Sequence, residues 1–304
     1  AYGLQFTSGA ANSNREEARF VTIDGLHFFA CGFYLYDNES ITVQNCTFDS
    51  PAAPRRVMSE LYTYEDGQSA NHPVSEAGLY SRYAENFIFR NNVIRRSELM
   101  WEGRQMINPL IENNLFKEFC PAAGNYYEGN SVIRLNSSEL VTLRRNTFDT
   151  FGNANGIAHG HQREYDDNET IIEYNRFENS SLLQGDAMCI QLNFNAYDSI
   201  LRYNWFLDAN KGSFRWDTPV GNNEGNLQDF GICYRNVTFG GPDGEAKIKG
   251  DHHEVYHNTG KIILRNDAVS NGTFNDSSVS KNNAVVDAYA WNADINTGTY
   301  SNNW

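Results

Sequence analysis

Short apolar runs, each closing on a polar turn and reopening on an apolar or aromatic residue, recur along most of this chain. They read SITVQNCTF, NFIFRNNVI, NPLIENNLF, LVTLRRNTF, TIIEYNRF, SILRYNWF and EVYHNTG. β-Branched and aromatic residues dominate them and no stretch has the apolar spacing of an amphipathic helix, so the pattern predicts strands. Asn45, Asn92, Asn114, Asn146, Asn175, Asn204, Asn236 and Asn258 fall at one point of the unit. Their successive spacings are 47, 22, 32, 29, 29, 32 and 22 residues, and Asp24 in VTIDGLHF extends the series by 21 at the front. Units of this length built from short strands and variable loops predict a solenoid. Because helices never alternate with the strands, parallel pairing has to come from the chain coiling on itself, each strand about 4.8 Å from its copy in the next turn.

The turn N-x-F or N-x-x-F between two strands resembles that of the right-handed parallel β-helix of the pectate-lyase-like superfamily, over residues 20–265. The resemblance implies a turn asparagine that points inward, its amide bridging successive coils, since a buried amide needs several partners. The expected fold is therefore all-β: a single right-handed parallel β-helix solenoid of about nine coils with an asparagine ladder. One domain is expected over residues 1–304, with an insertion at 49–77. The ends open and close abruptly, which points to a fragment or to ends covered by partners.

If each asparagine marks the turn after the second strand, the first strand of each coil lies about ten residues upstream and belongs to the sheet called PB1 in the resembling superfamily. Those strands read FYLY (33–36), LYSR (79–82), LMWE (99–102), IRLN (133–136), AHGH (158–161), IQLN (190–193), FRWD (214–217) and IKGD (248–251). Alternation places their second and fourth residues outward. One outward column is then Tyr34, Tyr80, Met100, Arg134, His159, Gln191, Arg215 and Lys249; beside it run Tyr36, Arg82, Glu102, Asn136, His161, Asn193, Asp217 and Asp251. A merely solvated face would favour Thr, Ser and Lys, whereas this strip is rich in Arg, His, Asn, Gln and Tyr and suggests a ligand groove. At AHGH the opposite phase would bury both histidines. The insertion 49–77 precedes a strand of this sheet and is expected to wall the groove.

Composition narrows the partners. The chain has 304 residues, 40% of them apolar, and a formal charge of −14, so nucleic acid and anionic membranes are not expected as partners. No stretch reaches the roughly 20 apolar residues of a membrane span, and no basic-then-apolar leader opens the chain. A soluble protein with any signal already removed is expected, secreted or at the cell surface, with the periplasm as an alternative. Cys31, Cys46, Cys120, Cys189 and Cys233 cannot all pair within the chain and show no metal-ligand spacing, so mostly buried free thiols are expected, with one or two disulfides left open.

His159 and His161 are the leading acid/base candidates, histidine being the side chain most easily tuned near neutral pH. A metal held by both with Asp186 or Asp217 is an alternative, as is purely structural hydrogen bonding. Arg215 and Lys249 are expected on adjacent coils of one column, with Arg134 further along and Arg82 beside it, a track suited to carboxylate or sulfate groups. Asp217 and Asp251 are either the counterions of those cations or a carboxylate pair within the roughly 5–9 Å that glycosidases use. Asp186 is a third carboxylate candidate. GDAMCIQ resembles the acidic segment of polygalacturonases and AKIKG their basic one, but HGH precedes both here, so no catalytic residue is carried over.

In the resembling lyases calcium often neutralises the uronate carboxylate, so Ca2+ is a candidate cofactor, with Asp166, Asp167, Asn168 and Glu169 as possible ligands. Tyr34, Tyr36 and Tyr80 are candidates for stacking on sugars, and Glu102, Asn136, Gln191 and Asn193 for hydrogen bonding to them. Phe48, Phe116, Phe148, Phe177 and Phe206 recur after the asparagine and are expected to stack in the core. The chain reads as an extracellular carbohydrate-active enzyme, a polysaccharide lyase or glycoside hydrolase, cleaving an acidic polysaccharide by β-elimination or hydrolysis. The alternative is a non-catalytic glycan-binding or structural solenoid, an adhesin or filament component.

Overall fold

A computed structural model of the chain describes residues 2–7, 18–51, 79–97, 101–119, 131–152, 155–160, 169–180, 188–193, 198–217, 229–240, 245–265, 277–291 and 299–304. The insertion expected at 49–77 lies, from residue 52 on, outside the described residues. Every regular element among them is a β-strand, and the strand pairs run parallel, each strand beside its copy in the next coil. The chain is a right-handed parallel β-helix, the hand that crossovers between parallel strands of one sheet adopt.

Three strand faces surround the core. The first includes Gly32–Glu39, Leu79–Glu85, Trp101–Arg104, Ser131–Asn136, Asn155–Gly160, Ile190–Asn193, Gly212–Asp217 and Glu245–Ile248. The second is an 11-stranded sheet from Thr22–Asp24 to Thr299–Ser301. The third includes Thr47–Asp49, Val93–Ser97, Leu115–Phe119, Thr147–Phe151, Arg176–Ser180 and Trp205–Ala209. Alternation aims one residue in two inward, as in Val141–Arg144, where Val141 and Leu143 are buried and Thr142 and Arg144 reach solvent.

The corner from the second face to the third sets the register. Its first residue is left-handed in coil after coil: Asn91, Asn113, Arg145, Tyr174, Tyr203, Arg235, His257 and Asn282 all have φ between 54 and 57°. A non-glycine residue there costs about 1 kcal/mol or more, and asparagine tolerates it best. The next residue is the ladder asparagine, whose amide is fully used. Asn175 donates from Nδ2 to Leu143 O (3.0 Å) and to Asn204 Oδ1 (3.1 Å), and its Oδ1 accepts from the main chain and Nδ2 of Asn146 at 2.9 and 3.0 Å. The same pattern links Asn92, Asn114, Asn146, Asn175, Asn204, Asn236, Asn258, Asn283 and Asn303.

Two members of the sequence series are displaced from this chain of amides. Asn45 is the left-handed residue, and Cys46 takes the ladder position, its N–H donating to Asn92 Oδ1 at 2.8 Å. The Asn45 amide instead donates to Asp24 Oδ1 on the surface, so Asp24 too stands outside the ladder. Asn283 and Asn303 extend it past the last asparagine of the series.

Two residues beyond the ladder, phenylalanines stack at coil spacing. Phe116 on Phe148, Phe148 on Phe177 and Phe177 on Phe206 have ring centroids 4.8, 4.7 and 5.2 Å apart and nearly parallel planes. Such pairs add about 0.5–1.5 kcal/mol each beyond their buried area. Cys46, Cys189 and Cys233 are buried free thiols and Cys31 is half-buried, whereas Cys120 lies outside the described residues. Burial pushes the Cys189 thiol up to about 12, which keeps it unreactive.

Asn175→Ala strands the N–H and Nδ2 of Asn146 and the carbonyl of Leu143 in the core. We expect it to lower unfolding free energy in urea by about 3–5 kcal/mol, against less than about 0.5 kcal/mol for Asn45→Ala. Equal effects would contradict the assignment of the ladder.

Candidate functional site

The first face is the one with chemistry on its outside. Strand pairing places Tyr34, Tyr80, Glu102, Arg134, Ala158, Gln191, Arg215 and Lys247 in one outward column. The neighbouring column runs through Tyr36, Arg82, Arg104, Asn136, Gly160, Asn193 and Asp217. Three strands therefore sit in a different register from the sequence expectation. Glu102 and Lys247 take the places expected for Met100 and Lys249, shifts of two residues that keep the facing and move the side chains along the strand. Met100 itself lies outside the described residues.

The third shift is by one residue and reverses the strand. Ile157 pairs with Ile133 and Ile190, all fully buried, and this apolar column carries His159 inward between Leu135 and Leu192. His159 is 1% exposed and its Nδ1 lies 2.9 Å from Leu135 O, so it is a core residue and does not present an acid or base to the outward strip. An isoleucine in the core outweighs a histidine on the surface, because burying its side chain is worth about 1.5–3 kcal/mol. His161 and Asp186 lie outside the described residues. So do Asp166, Asp167 and Asn168 of the proposed calcium loop, while Glu169 is exposed. Among the described residues no group of three His, Cys, Asp or Glu side chains is arranged to hold a metal ion.

At the C-terminal half of the strip the expected residues do meet. Asp217 is gripped by three side chains: Arg215 Nη2 lies 2.9 Å from its Oδ2, Gln191 Nε2 donates to Oδ2 at 3.2 Å, and Lys249 Nζ donates to Oδ1 at 2.8 Å. Gln191, Arg215 and Lys249 are all more than nine-tenths buried, while the Asp217 side chain keeps 19% of its surface exposed. One coil on, Glu245 bridges Lys247 and Lys261 at 3.6 and 2.7 Å. Arg134 is half-buried on the same strip, as are Tyr34 and Tyr36. Tyr80, Arg82, Asn136 and Asn193 hold their places in the register, Glu102 moves into the column of Tyr80 and Arg134, and the side chains of all five fall outside what the structure describes.

Asp251 lies one coil beyond Asp217. It follows the first-face strand, bridges to Asp229 in the preceding coil, and donates its N–H to Asp229 Oδ1 at 3.0 Å. Burial raises the Asp229 carboxyl above the ordinary aspartate range, against the lowering effect of the Asp251 N–H and of His252. Lys247, Glu245, Asp229 and His253 were not singled out in the sequence; Lys247 shares KIKG with Lys249, two residues apart and on the same side of the chain.

A second ordered cluster sits at the corner of the second face. Tyr174 stacks on Tyr203 and Tyr234 on Tyr256, at 4.8 and 5.2 Å with planes within 2°, while Arg145, Arg202 and Arg235 approach the rings. Each stacked pair joins two coils and Tyr203 meets Tyr234 edge-on at 5.7 Å, so the cluster braces one coil against the next.

The architecture places the chain among right-handed parallel β-helix proteins. No family model and no curated protein matches it. Among solved structures it is similar to the Streptococcus pneumoniae surface protein and adhesin PfbA, with a TM-score of 0.57 and 11% identity over 99% of this chain and 82% of that one. At that identity the likeness speaks for the fold alone.

Removing the Asp217 carboxylate takes a shared counterion from two buried cations. Asp217→Ala is expected to cost about 3–5 kcal/mol of stability by urea unfolding; a loss under about 1 kcal/mol, as at an exposed ion pair, would show that the cluster is solvated. Asp229 follows the opposite sign. Its raised folded pKa favours the protonated form, so its contribution is most favourable below the ordinary aspartate value of about 3.9 and is lost as pH rises through the folded one. Asp229→Asn should therefore raise the melting temperature at neutral pH and leave it unchanged near pH 3. A gain that is the same at both pH values would assign the effect to something other than ionisation.

Proposed function

We propose that the chain is a β-solenoid that binds an anionic glycan along the outward face of strands Ser131–Asn136 to Glu245–Ile248. The observation that carries this reading is a contrast of charge. The chain as a whole carries −14, yet among the described side chains the outward side of these strands gathers Arg134, Arg215, Lys247 and Lys249 against Asp217 and Glu245. Guanidinium groups bind carboxylate and sulfate through paired N–H donors, and ammonium groups bind them as point charges. A sugar polymer laid along the coils would meet a new set of side chains about every 4.8 Å, close to the length of one sugar. Use outside the cell, or at its surface, is part of this proposal.

Binding without turnover is the form we favour. The inward turn of His159 takes away one of the two leading acid/base candidates, the other, His161, lying outside the described residues, and Asp217 is already committed to Arg215 and Lys249. The fold is shared with a protein whose name is that of an adhesin. Cleavage by β-elimination or hydrolysis is a second reading, favoured by the cations that would neutralise a uronate and by Asp217 itself.

The test is a screen of the purified protein against alginate, pectate, carrageenans, fucoidan and glycosaminoglycans, reading binding, reducing ends and the ultraviolet absorbance of unsaturated uronates. We expect salt-sensitive binding with neither product signal. Arg134→Gln or Lys249→Gln should weaken it about tenfold or more, as loss of a charge-assisted contact does. Release of products would replace the binding reading with the enzymatic one, and binding that neither substitution weakens would place the site elsewhere.

A further inference from the structure

We propose that His253 is the positioning residue that fixes Lys249 against Asp217 and that it makes this cluster sensitive to acid; the consequence for ligand rests on the glycan-binding reading above. After Ile248 the chain turns sharply through Gly250, whose φ of 110° lies in the region that favours glycine. His253, four residues beyond Lys249 and fully buried, reaches back into that turn. Its Nε2 lies 3.1 Å from Lys249 O and its Nδ1 lies 3.0 Å from Gly231 N. A carbonyl only accepts and an amide only donates, so these contacts put the proton on Nε2 and leave Nδ1 as an acceptor.

The ring is held on its remaining sides as well. It stacks on the indole of Trp216 at 4.6 Å with planes 6° apart, and the His253 N–H donates to Ser278 Oγ at 3.1 Å. A Cβ at position 231 would come within 2.8 Å of Nδ1 and 2.6 Å of the indole, so Gly231 is what lets the main chain reach the imidazole. Trp216 lies between Arg215 and Asp217 in sequence. A single imidazole thus braces both the strand that carries Arg215 and Asp217 and the turn that carries Lys249.

Protonation of Nδ1 would set its N–H against that of Gly231 and place a cation in the core, which breaks one hydrogen bond and adds a buried charge. The charged groups around it are Lys249, Asp251 and His252 on its own turn, Arg215 and Asp217 on the strand of Trp216, and Asp229 two residues before Gly231; Ser278, from the following coil, is neutral. Both ring nitrogens already face main-chain groups, so the neutral form is the one the fold holds. The brace is present at neutral pH and lost as pH falls.

His253→Gln tests this, because glutamine carries one donor and one acceptor and does not titrate. Melting temperature and affinity for dextran sulfate, whose sulfate esters stay ionised, are measured near neutral pH and about pH 5 for both proteins. The wild type should lose about tenfold in affinity and melt earlier in acid, while His253→Gln changes little in either. The same acid response in both proteins would overturn the inference. A difference in melting with no dextran sulfate bound by either protein would uphold the brace and reject the glycan reading. Should the variant fail to fold, imidazole nitrogen shifts of the wild type decide: an Nε2–H tautomer supports the brace, and an Nδ1–H tautomer overturns it.

Discussion

The rest of the structure depends on one contact, the side-chain amide of one coil donating to the side-chain oxygen of the next. A left-handed residue at the corner turns main-chain polar groups toward the core, where water does not reach them. Asparagine answers with two donors and an oxygen that accepts twice, so every group at the corner is satisfied by the neighbouring coil. The bond has little freedom in length, and it therefore holds successive coils in step. The phenylalanine stack two residues on follows from the same spacing, as does the alignment of the outward columns on the first face.

That alignment is what gives the candidate site its content. Arg215, Asp217 and Gln191 meet because strands Ile190–Asn193 and Gly212–Asp217 are locked residue for residue, and Lys249 joins them from the coil beyond. A one-residue slip would turn the entire set inward, which is what happens to His159 on the preceding coil. There the apolar column through Ile133, Ile157 and Ile190 decides the phase, and the histidine follows.

The fold was legible because its signal is periodic. Asparagine recurring at the corner of unit after unit, with phenylalanine two places after Asn114, Asn146, Asn175 and Asn204, leaves few alternatives to a solenoid. The displacement at Asn45 was readable too: doublets such as Asn91-Asn92 and Asn113-Asn114 show the left-handed residue first and the ladder residue second, and Asn45-Cys46 lacks the second asparagine. The site was legible only in part. Alternation fixes which residues of a strand share a side, and so identified Arg215, Gln191 and Asp217, but it does not fix how far one strand slides along the next. Hence Lys247 rather than Lys249 stands beside Arg215. Contacts that cross the core, such as His253 on Trp216, leave no periodic trace at all.

A strip that carries Arg134, Arg215, Lys247 and Lys249, held in register by buried amides, runs along a chain whose net charge is −14. Its most direct test is the hydrogen-exchange footprint of a bound sulfated glycan on the intact protein. Protection centred on residues 131–136, 190–193, 212–217 and 245–249 is the predicted result. Protection confined to the tyrosine corner of the second face, or no change anywhere at saturating glycan, would contradict it.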